Sequence, residues 1–290
     1  MRHVVFVILL GFLISVYTEF IPISRLRPVP LLQSSKFISI FTDNFETETN
    51  WLLFEEIVGG NSCYGSGVGR VARSVDVAYE SSHSLLVWAN QASSTKSNHL
   101  IGYKNYPNTH QTDIWRYQVH AYIDPATENS GQTGPEFSLQ NTRQIAPDQF
   151  RTSTAGIQYI ANPFSSDKDN WQVWREAAPG VAGWHTFMEQ PITAGEWYTL
   201  TLEADFIDNH YVTFSIQGGG LNQLIELSAY NIAAEDKFTE EAFVITLESE
   251  NLWNNCGVAG AYNYKVYYDQ VSLMRPAALL YLPVILSKLK

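Results

Sequence analysis

From about residue 41 to 275 the chain alternates apolar and polar positions in short runs, broken by Gly, Asn, Asp, Ser and Pro, with hardly any helical periodicity. The pattern predicts strands over 84–89, 115–123, 136–142, 154–160, 171–176, 184–189, 197–205, 211–218, 242–248 and 265–274, with one helical turn at 233–241. No internal repeat and no low-complexity block interrupts this all-β pattern.

Side chains of a strand alternate between the two sides of its sheet, so several runs can be read face by face. In 242–250, Phe243, Ile245 and Leu247 fall on one side, and Thr246, Glu248 and Glu250 on the other. In 136–142, Phe137 and Leu139 go to the core and leave Glu136, Ser138, Gln140 and Thr142 opposite. One sheet face is therefore expected to be lined with polar groups suited to a sugar. Glu248 and Glu250 would stand roughly 6–7 Å apart along their strand, from the rise of about 3.3 Å per residue. If the protein is an enzyme, Glu248, Glu250 and Glu136 are the catalytic candidates. Gln140, Gln158, Trp174, Arg175 and His185 would complete the face as substrate-binding groups. The same residues would serve a lectin as acceptors for sugar hydroxyls, or stand as a solvated outer face.

The chain ends differ in character. Residues 4–17 form a nearly continuous apolar run behind Arg2 and His3, the length of a signal-peptide core and short for a bilayer span. Residues 1–20 are expected to be a signal peptide or a membrane anchor, since no convincing small-x-small cleavage site follows. Residues 21–40 hold three prolines and a Ser pair and read as an extended linker. A domain over 41–275 would follow, then a short apolar tail over 276–290. The chain is expected to be secreted or anchored at the cell surface, with a tether, if any, through the N-terminus.

Composition narrows the partners. A formal net charge of −11 and the absence of any Lys or Arg cluster argue against a nucleic-acid partner. The 8 Trp, 16 Tyr and 15 Phe supply flat apolar faces of the kind that stack on sugars. The two cysteines, Cys63 and Cys256, are expected to form a disulfide in an exported chain. That bridge would gather Tyr64, Trp253, Asn254, Asn255 and Tyr262, with Tyr264, into stacking platforms flanked by amides; a purely structural clamp explains the same residues. The Gly-rich run 65–69 precedes no helix and is no phosphate cradle. The seven histidines show no metal-binding spacing, and no Ser-His-Asp order stands out.

Three stretches resemble the frame of the concanavalin A-like lectin and glucanase superfamily. The opening Phe41-Thr42-Asp43-Asn44-Phe45-Glu46, with Trp51 beyond it, resembles the first strand of secreted jelly-roll domains. Gly195-Glu196-Trp197 and the alternating run that follows, continuing to Tyr211 and Gly218, resemble a strand pair of laminin-G-like domains. Val266-Tyr267-Tyr268-Asp269-Gln270-Val271-Ser272-Leu273 resembles their final strand. The resemblance implies a jelly-roll β-sandwich of two antiparallel sheets. It also implies a structural Ca²⁺ held by acids such as Asp43, Glu46 and Asp269, whose hard oxygens suit that ion; ordinary turn or cap roles of strand-end acids explain the same residues.

Glu203-Ala204-Asp205-Phe206-Ile207-Asp208 resembles the E-x-D-x-x-E signature of laminarinase-type glycoside hydrolases, with Asp in the last place. Its position just before a turn at 208–210 instead predicts the end of a hairpin strand. The superfamily hosts binders and enzymes alike, so fold membership does not fix activity. The sequence is read as an extracellular lectin-like protein that binds a polysaccharide or glycan. The alternatives are a glycoside hydrolase or polysaccharide lyase working from the polar concave face, and a structural or adhesion domain with a protein partner.

Overall fold

The computed structural model of the chain describes residues 37–47, 50–56, 69–90, 98–106, 114–127, 133–162, 165–178, 180–235, 241–251 and 263–277. Their strands are β1 (Phe37–Asp43), β2 (Leu52–Glu56), β3 (Arg70–Ser74), β4 (Ser84–Asn90), β5 (Asn98–Tyr106), β6 (Ile114–Ile123), β7 (Thr133–Ala146) and β8 (Gln149–Ile160). They continue with β9 (Asn170–Ala178), β10 (Val181–Glu189), β11 (Trp197–Asp205), β12 (His210–Gly218), β13 (Leu221–Glu226), β14 (Ala233–Glu235), β15 (Ala242–Asn251) and β16 (Asn263–Pro276). No α-helix occurs among the described residues.

The strands form a jelly-roll β-sandwich of two antiparallel sheets. One runs β13-β12-β11-β6-β16-β4-β3, with β1 beside β16; the other runs β10-β9-β8-β7-β15-β5-β2, with β14 beside β8. For brevity these are the β6 sheet and the β7 sheet.

Alternation builds the core between them. Trp115, Tyr117 and Val119 of β6, Leu200 and Leu202 of β11 and Tyr268 of β16 face inward from one side. Phe137 and Leu139 of β7, Ile157 of β8, Val173 of β9 and Phe243, Ile245 and Leu247 of β15 face them from the other. Each large apolar side chain buried this way contributes roughly 1.5–3 kcal/mol. A one-residue slip of β15 would trade that set for Thr246, Glu248 and Glu250, so the register is held by a large difference in burial energy.

Core tyrosines also reach across the sandwich to the backbone of the β7 sheet. Tyr117 Oη donates to the Thr246 carbonyl at 3.0 Å, and Tyr264 Oη donates to that of Gly134 at 2.6 Å. Tyr211 Oη accepts from the Gly156 N–H at 2.9 Å. Tyr268 Oη accepts from the Glu136 N–H at 3.0 Å and donates toward the Glu248 carbonyl at 2.5 Å. Tyr264, expected among exposed binding aromatics, is therefore a core residue.

Three local expectations are corrected. β1 begins at Phe37, inside the segment read as linker: residues 37–39 pair with 274–276 of β16, and the Arg116 guanidinium lies 3.7 Å over the Phe37 ring. The helical turn expected from Ala233 is instead β14, where Ala233, Ala234 and Glu235 pair with Thr154, Ser153 and Thr152; an available strand edge overrides weak local helix preference. The strands β2, β3, β5 and β13 carried no clear alternation signal. In β2 the consecutive Leu52, Leu53 and Phe54 are about half exposed on a sheet edge, where period-2 burial does not operate. The expected signal or anchor segment 1–20, most of the linker and nearly all of the tail lie outside the described residues.

Candidate functional site

Glu136 of β7 and Glu248 of β15 are register partners on adjacent strands. Directly paired residues project on the same side of a sheet, here the side away from the core. The row continues through Gln158 of β8 and Gln172 of β9 to Thr186 of β10, and in the other direction through Ile101 of β5 to Phe54 of β2. A polar band thus crosses the sheet and turns apolar at the β2 edge. The next row holds Trp184, Trp174, Gly156, Ser138, Thr246, Tyr103 and Leu52, from the same alternation.

At the centre Glu248 is held from two sides. Its Oε2 lies 2.8 Å from His99 Nε2, and its Oε1 accepts the Thr246 hydroxyl. Thr246 Oγ1 in turn hydrogen-bonds with Ser138 Oγ at 2.7 Å and accepts from the Ser138 N–H at 3.0 Å. Glu136, 5% exposed, has an Oε2 atom with no hydrogen-bond partner. Burial, and next the charge of Glu248, raise its carboxyl well above the ordinary carboxylate range, with Glu250 adding to the effect and His99 opposing it. Glu136 is a carboxyl pushed toward its neutral form beside a second carboxyl that is positioned by donors. Such an unlike pair is what acid/base chemistry uses.

Two triads bring potential ligand atoms within 4.8 Å of one another: His99, Glu136 and Glu248, and Asp205, Asp208 and His210. Hydrogen bonding accounts for both. The first is closed by the His99–Glu248 contact. The second sits in the β11–β12 turn, where Asp205 Oδ1 accepts the N–H groups of Ile207 and Asp208 at 2.8 and 3.1 Å.

The expected site residues are sorted accordingly. Glu136, Glu248, Gln140, Gln158 and Trp174 share the polar face, as the alternation predicts. Glu248 and Glu250 stay two apart on one side of β15, opposite Ile101 and His99 of β5, and Glu248 also lies opposite Glu136 of β7. The partner of Glu248 is Glu136, across the ladder. Gln158 Nε2 donates to Gln172 Oε1 at 2.6 Å.

Arg175 and His185 are on the wrong side. Trp184 pairs with Trp174, which places Arg175 and His185 on the face that carries Val173, where Arg175 Nη2 lies 3.4 Å from His185 Nδ1.

Asp43, Glu46 and Asp269 do not converge. Asp43 accepts the Phe45 N–H and the Trp51 indole, at 2.9 and 3.0 Å. Glu46 accepts from the Ser82 hydroxyl and N–H and from the His83 N–H. Asp269 accepts from the N–H groups of Tyr79 and Gln270 and from the Ser81 hydroxyl. Glu46 and Asp269 both hold the 79–83 segment, and Asp43 holds the turn that follows its own strand. Glu203, from the hydrolase-like motif, pairs with Arg116 on the β6 sheet, and its strand ends in a hairpin turn as expected. Cys63, Tyr64, Trp253, Asn254, Asn255, Tyr262 and Cys256 lie outside the described residues.

Sequence reasoning missed His99 and Trp184 as site residues. His99 stands in a run without alternation, and only its pairing opposite Glu250 sets its side. Trp184 was legible as the start of a strand, and its pairing with Trp174 supplies its face.

No known protein family matches the chain, and no curated protein matches it. Among solved structures, an endo-β-1,4-glucuronan lyase from the fungus Trichoderma reesei superposes with a TM-score of 0.50 at 13% identity, over 81% of this chain and 95% of that one. A β-glucanase from Bacillus licheniformis superposes at 0.43 and 12% identity, over 82% and 97%. An alginate lyase from Aplysia kurodai superposes at 0.41 and 8% identity, over 71% and 87%. The likeness to the lyase shows a shared fold.

Proposed function

We propose that the protein cleaves a glycan from the outer face of the β7 sheet, as a glycoside hydrolase with Glu136 as general acid/base and Glu248 as nucleophile. The carrying observation is the buried carboxyl pair on adjacent strands, one pushed toward its neutral form by burial and its neighbour's charge and one held by His99 and Thr246. The likeness in fold to a polysaccharide-cleaving lyase supports a glycan as the partner. A lectin reading is less well served, since binding alone gives no reason to bury two adjacent carboxyls.

The separation supports a double displacement. Inverting enzymes need roughly 6.5–9.5 Å between carboxyls to seat a water, and retaining enzymes about 5–5.5 Å. Here one oxygen of Glu136 lies within 4.8 Å of one oxygen of Glu248, short of the spacing that seats a water between them. Glu136 would give its proton to the glycosidic oxygen as Glu248 attacks the anomeric carbon, forming a glycosyl ester and releasing the alcohol. Glu136, now ionised, would take a proton from the entering water, whose oxygen replaces Glu248 at that carbon. The apolar run over 4–17 supports action outside the cell, secreted or surface-tethered.

The test is cleavage of a polysaccharide panel by the full chain and by Glu248→Gln, read as new reducing ends and by the anomeric configuration of the first product. Loss of at least a thousandfold in rate and a retained configuration are expected, from the loss of the nucleophile. Unchanged turnover in Glu248→Gln refutes the assignment.

A further inference from the structure

We infer that the glycan taken by this face is neutral rather than uronic, and that Trp184 and Trp174 form the wall on which a sugar stacks beside the acid pair. The inference rests on the reading that Glu136 and Glu248 carry out the cleavage, and it departs from the substrate named for the glucuronan lyase of like fold.

Charge is the first ground. The face presents Glu136, Glu248 and Glu250, all buried, with His99 against Glu248. Among the described residues no Lys or Arg shares it. Lys104, Arg143 and Arg151 stand at positions of opposite parity to Tyr103, Thr142 and Thr152, on the core-facing side of their strands. Lys104 is paired with Asp43, and Arg175 faces away with Val173. Within 37–277, the segments outside the described residues contain only Lys96 and Lys237 as further Lys or Arg.

A uronate polymer brings one carboxylate per residue. Elimination from it also requires that charge to be neutralised before the adjacent C–H can give up its proton. Among the described residues this face offers no Lys or Arg to do so, and Gln158 and Gln172 are bonded to each other and Gln172 onward to Thr186.

Shape is the second ground. The Trp174 and Trp184 rings meet edge to face, 5.2 Å between centroids, and both stay partly exposed. Trp184 leans from β10 across β9: its Cη2 lies 3.4 Å from where a Cβ on Gly156 would stand, and the Ser138 Cβ is also 3.4 Å from that point. The indole thus reaches over β8, the strand beside that of Glu136. Pyranose rings with equatorial hydroxyls expose flat C–H faces that stack on such indoles. On the far side of the acids the rows continue as Ile101, Tyr103, Leu52 and Phe54. A chain laid across the strands would meet aromatic surface, the carboxyl pair, then apolar surface.

The experiment compares the full-length protein on neutral polymers (mixed-linkage β-glucan, xylan, mannan) and on polyuronates (glucuronan, alginate). It reads reducing ends, the ultraviolet absorbance of unsaturated uronate ends, and binding by affinity electrophoresis. At least one neutral polymer is expected to be cleaved or bound about 100-fold better than either polyuronate, the factor that two like charges about 6 Å apart cost at the effective dielectric of a protein site. Trp184→Ala is expected to raise KM on that polymer about tenfold with a smaller change in kcat, and Trp184→Phe to recover most of the loss; its melting curve reports whether the fold is intact.

Reducing ends from a polyuronate without unsaturation would overturn the neutral-substrate inference and leave the hydrolase reading standing. Unsaturated ends would overturn both. Tryptophan-dependent binding of a neutral polymer without cleavage would support this inference and sink the hydrolase reading. No binding or cleavage of any neutral polymer, or a Trp184→Ala variant that folds and behaves as wild type, would overturn it.

Discussion

Removing one hydroxyl from the core, by Tyr268→Phe, is expected to weaken both the fold and the candidate site. Tyr268 is fully buried on β16, and its oxygen bridges the backbone of the two strands that carry Glu136 and Glu248. The ring would remain, so packing is nearly conserved. What is lost is one accepted and one donated hydrogen bond, worth about 1–3 kcal/mol together, and a buried N–H or C=O left unpaired adds to that. A total of about 2–4 kcal/mol corresponds to a fall in Tm of roughly 5–15 °C for a domain of this size.

Chemical denaturation with a matched m-value, beside a calorimetric scan, measures it. Tyr267→Phe is the control: it lies on the opposite face of the same strand with its hydroxyl 3.5 Å from Asp76, and is expected to cost less than about 1 kcal/mol. The site gives an independent readout. If the bridge sets the spacing of the carboxyls, cleavage by Tyr268→Phe should fall at temperatures where the variant is fully folded. A Tyr268→Phe protein within about 0.5 kcal/mol of wild type would refute the claim that the hydroxyl bridge holds these strands.

Glu136→Gln is expected to abolish cleavage while stabilising the protein at neutral and alkaline pH. Because the folded carboxyl titrates above its ordinary value of 4.5, the folded chain keeps a proton that the unfolded chain loses, and stability falls as pH rises from 4.5 through the raised value. Glutamine removes this dependence, so the gap between variant and wild type should widen with pH in urea titrations; a gap independent of pH contradicts the assignment. Wild-type cleavage should also fall as pH rises through that raised value, when the general acid is lost.

Glu46 behaves oppositely: hydrogen bonds, first from the Ser82 hydroxyl, lower it to about 2. The support it gives the loop is complete above 4.5 and lost as pH falls through about 2, so exchange protection of the Ser82 and His83 amides should persist at pH 3 and fail below 2. A fragment beginning at residue 41 is expected to melt several degrees below one beginning at 36, since it lacks the residues of β1 that pair with 274–276; equal melting would show that this pairing adds nothing.

The sequence by itself determined the fold class and the sidedness of the strands. Alternation is local, and a buried face must be apolar, so Phe137, Leu139, Ile245 and Leu247 announced the core, and Glu136, Ser138, Thr246 and Glu248 the opposite face. The final motif through Tyr268 and Asp269, and the Trp197 strand with its hairpin, were legible for the same reason. Strand pairing was not legible, because it joins residues far apart in the chain through backbone hydrogen bonds that carry no side-chain signature. Only the tertiary structure decided that Glu248 lies opposite Glu136, a pairing across strands that spacing along one strand cannot show. It alone brought His99 to Glu248 and set Trp184 over Gly156. Arg175 and His185 fall on the other face by the same alternation, each next in sequence to a tryptophan of the site face.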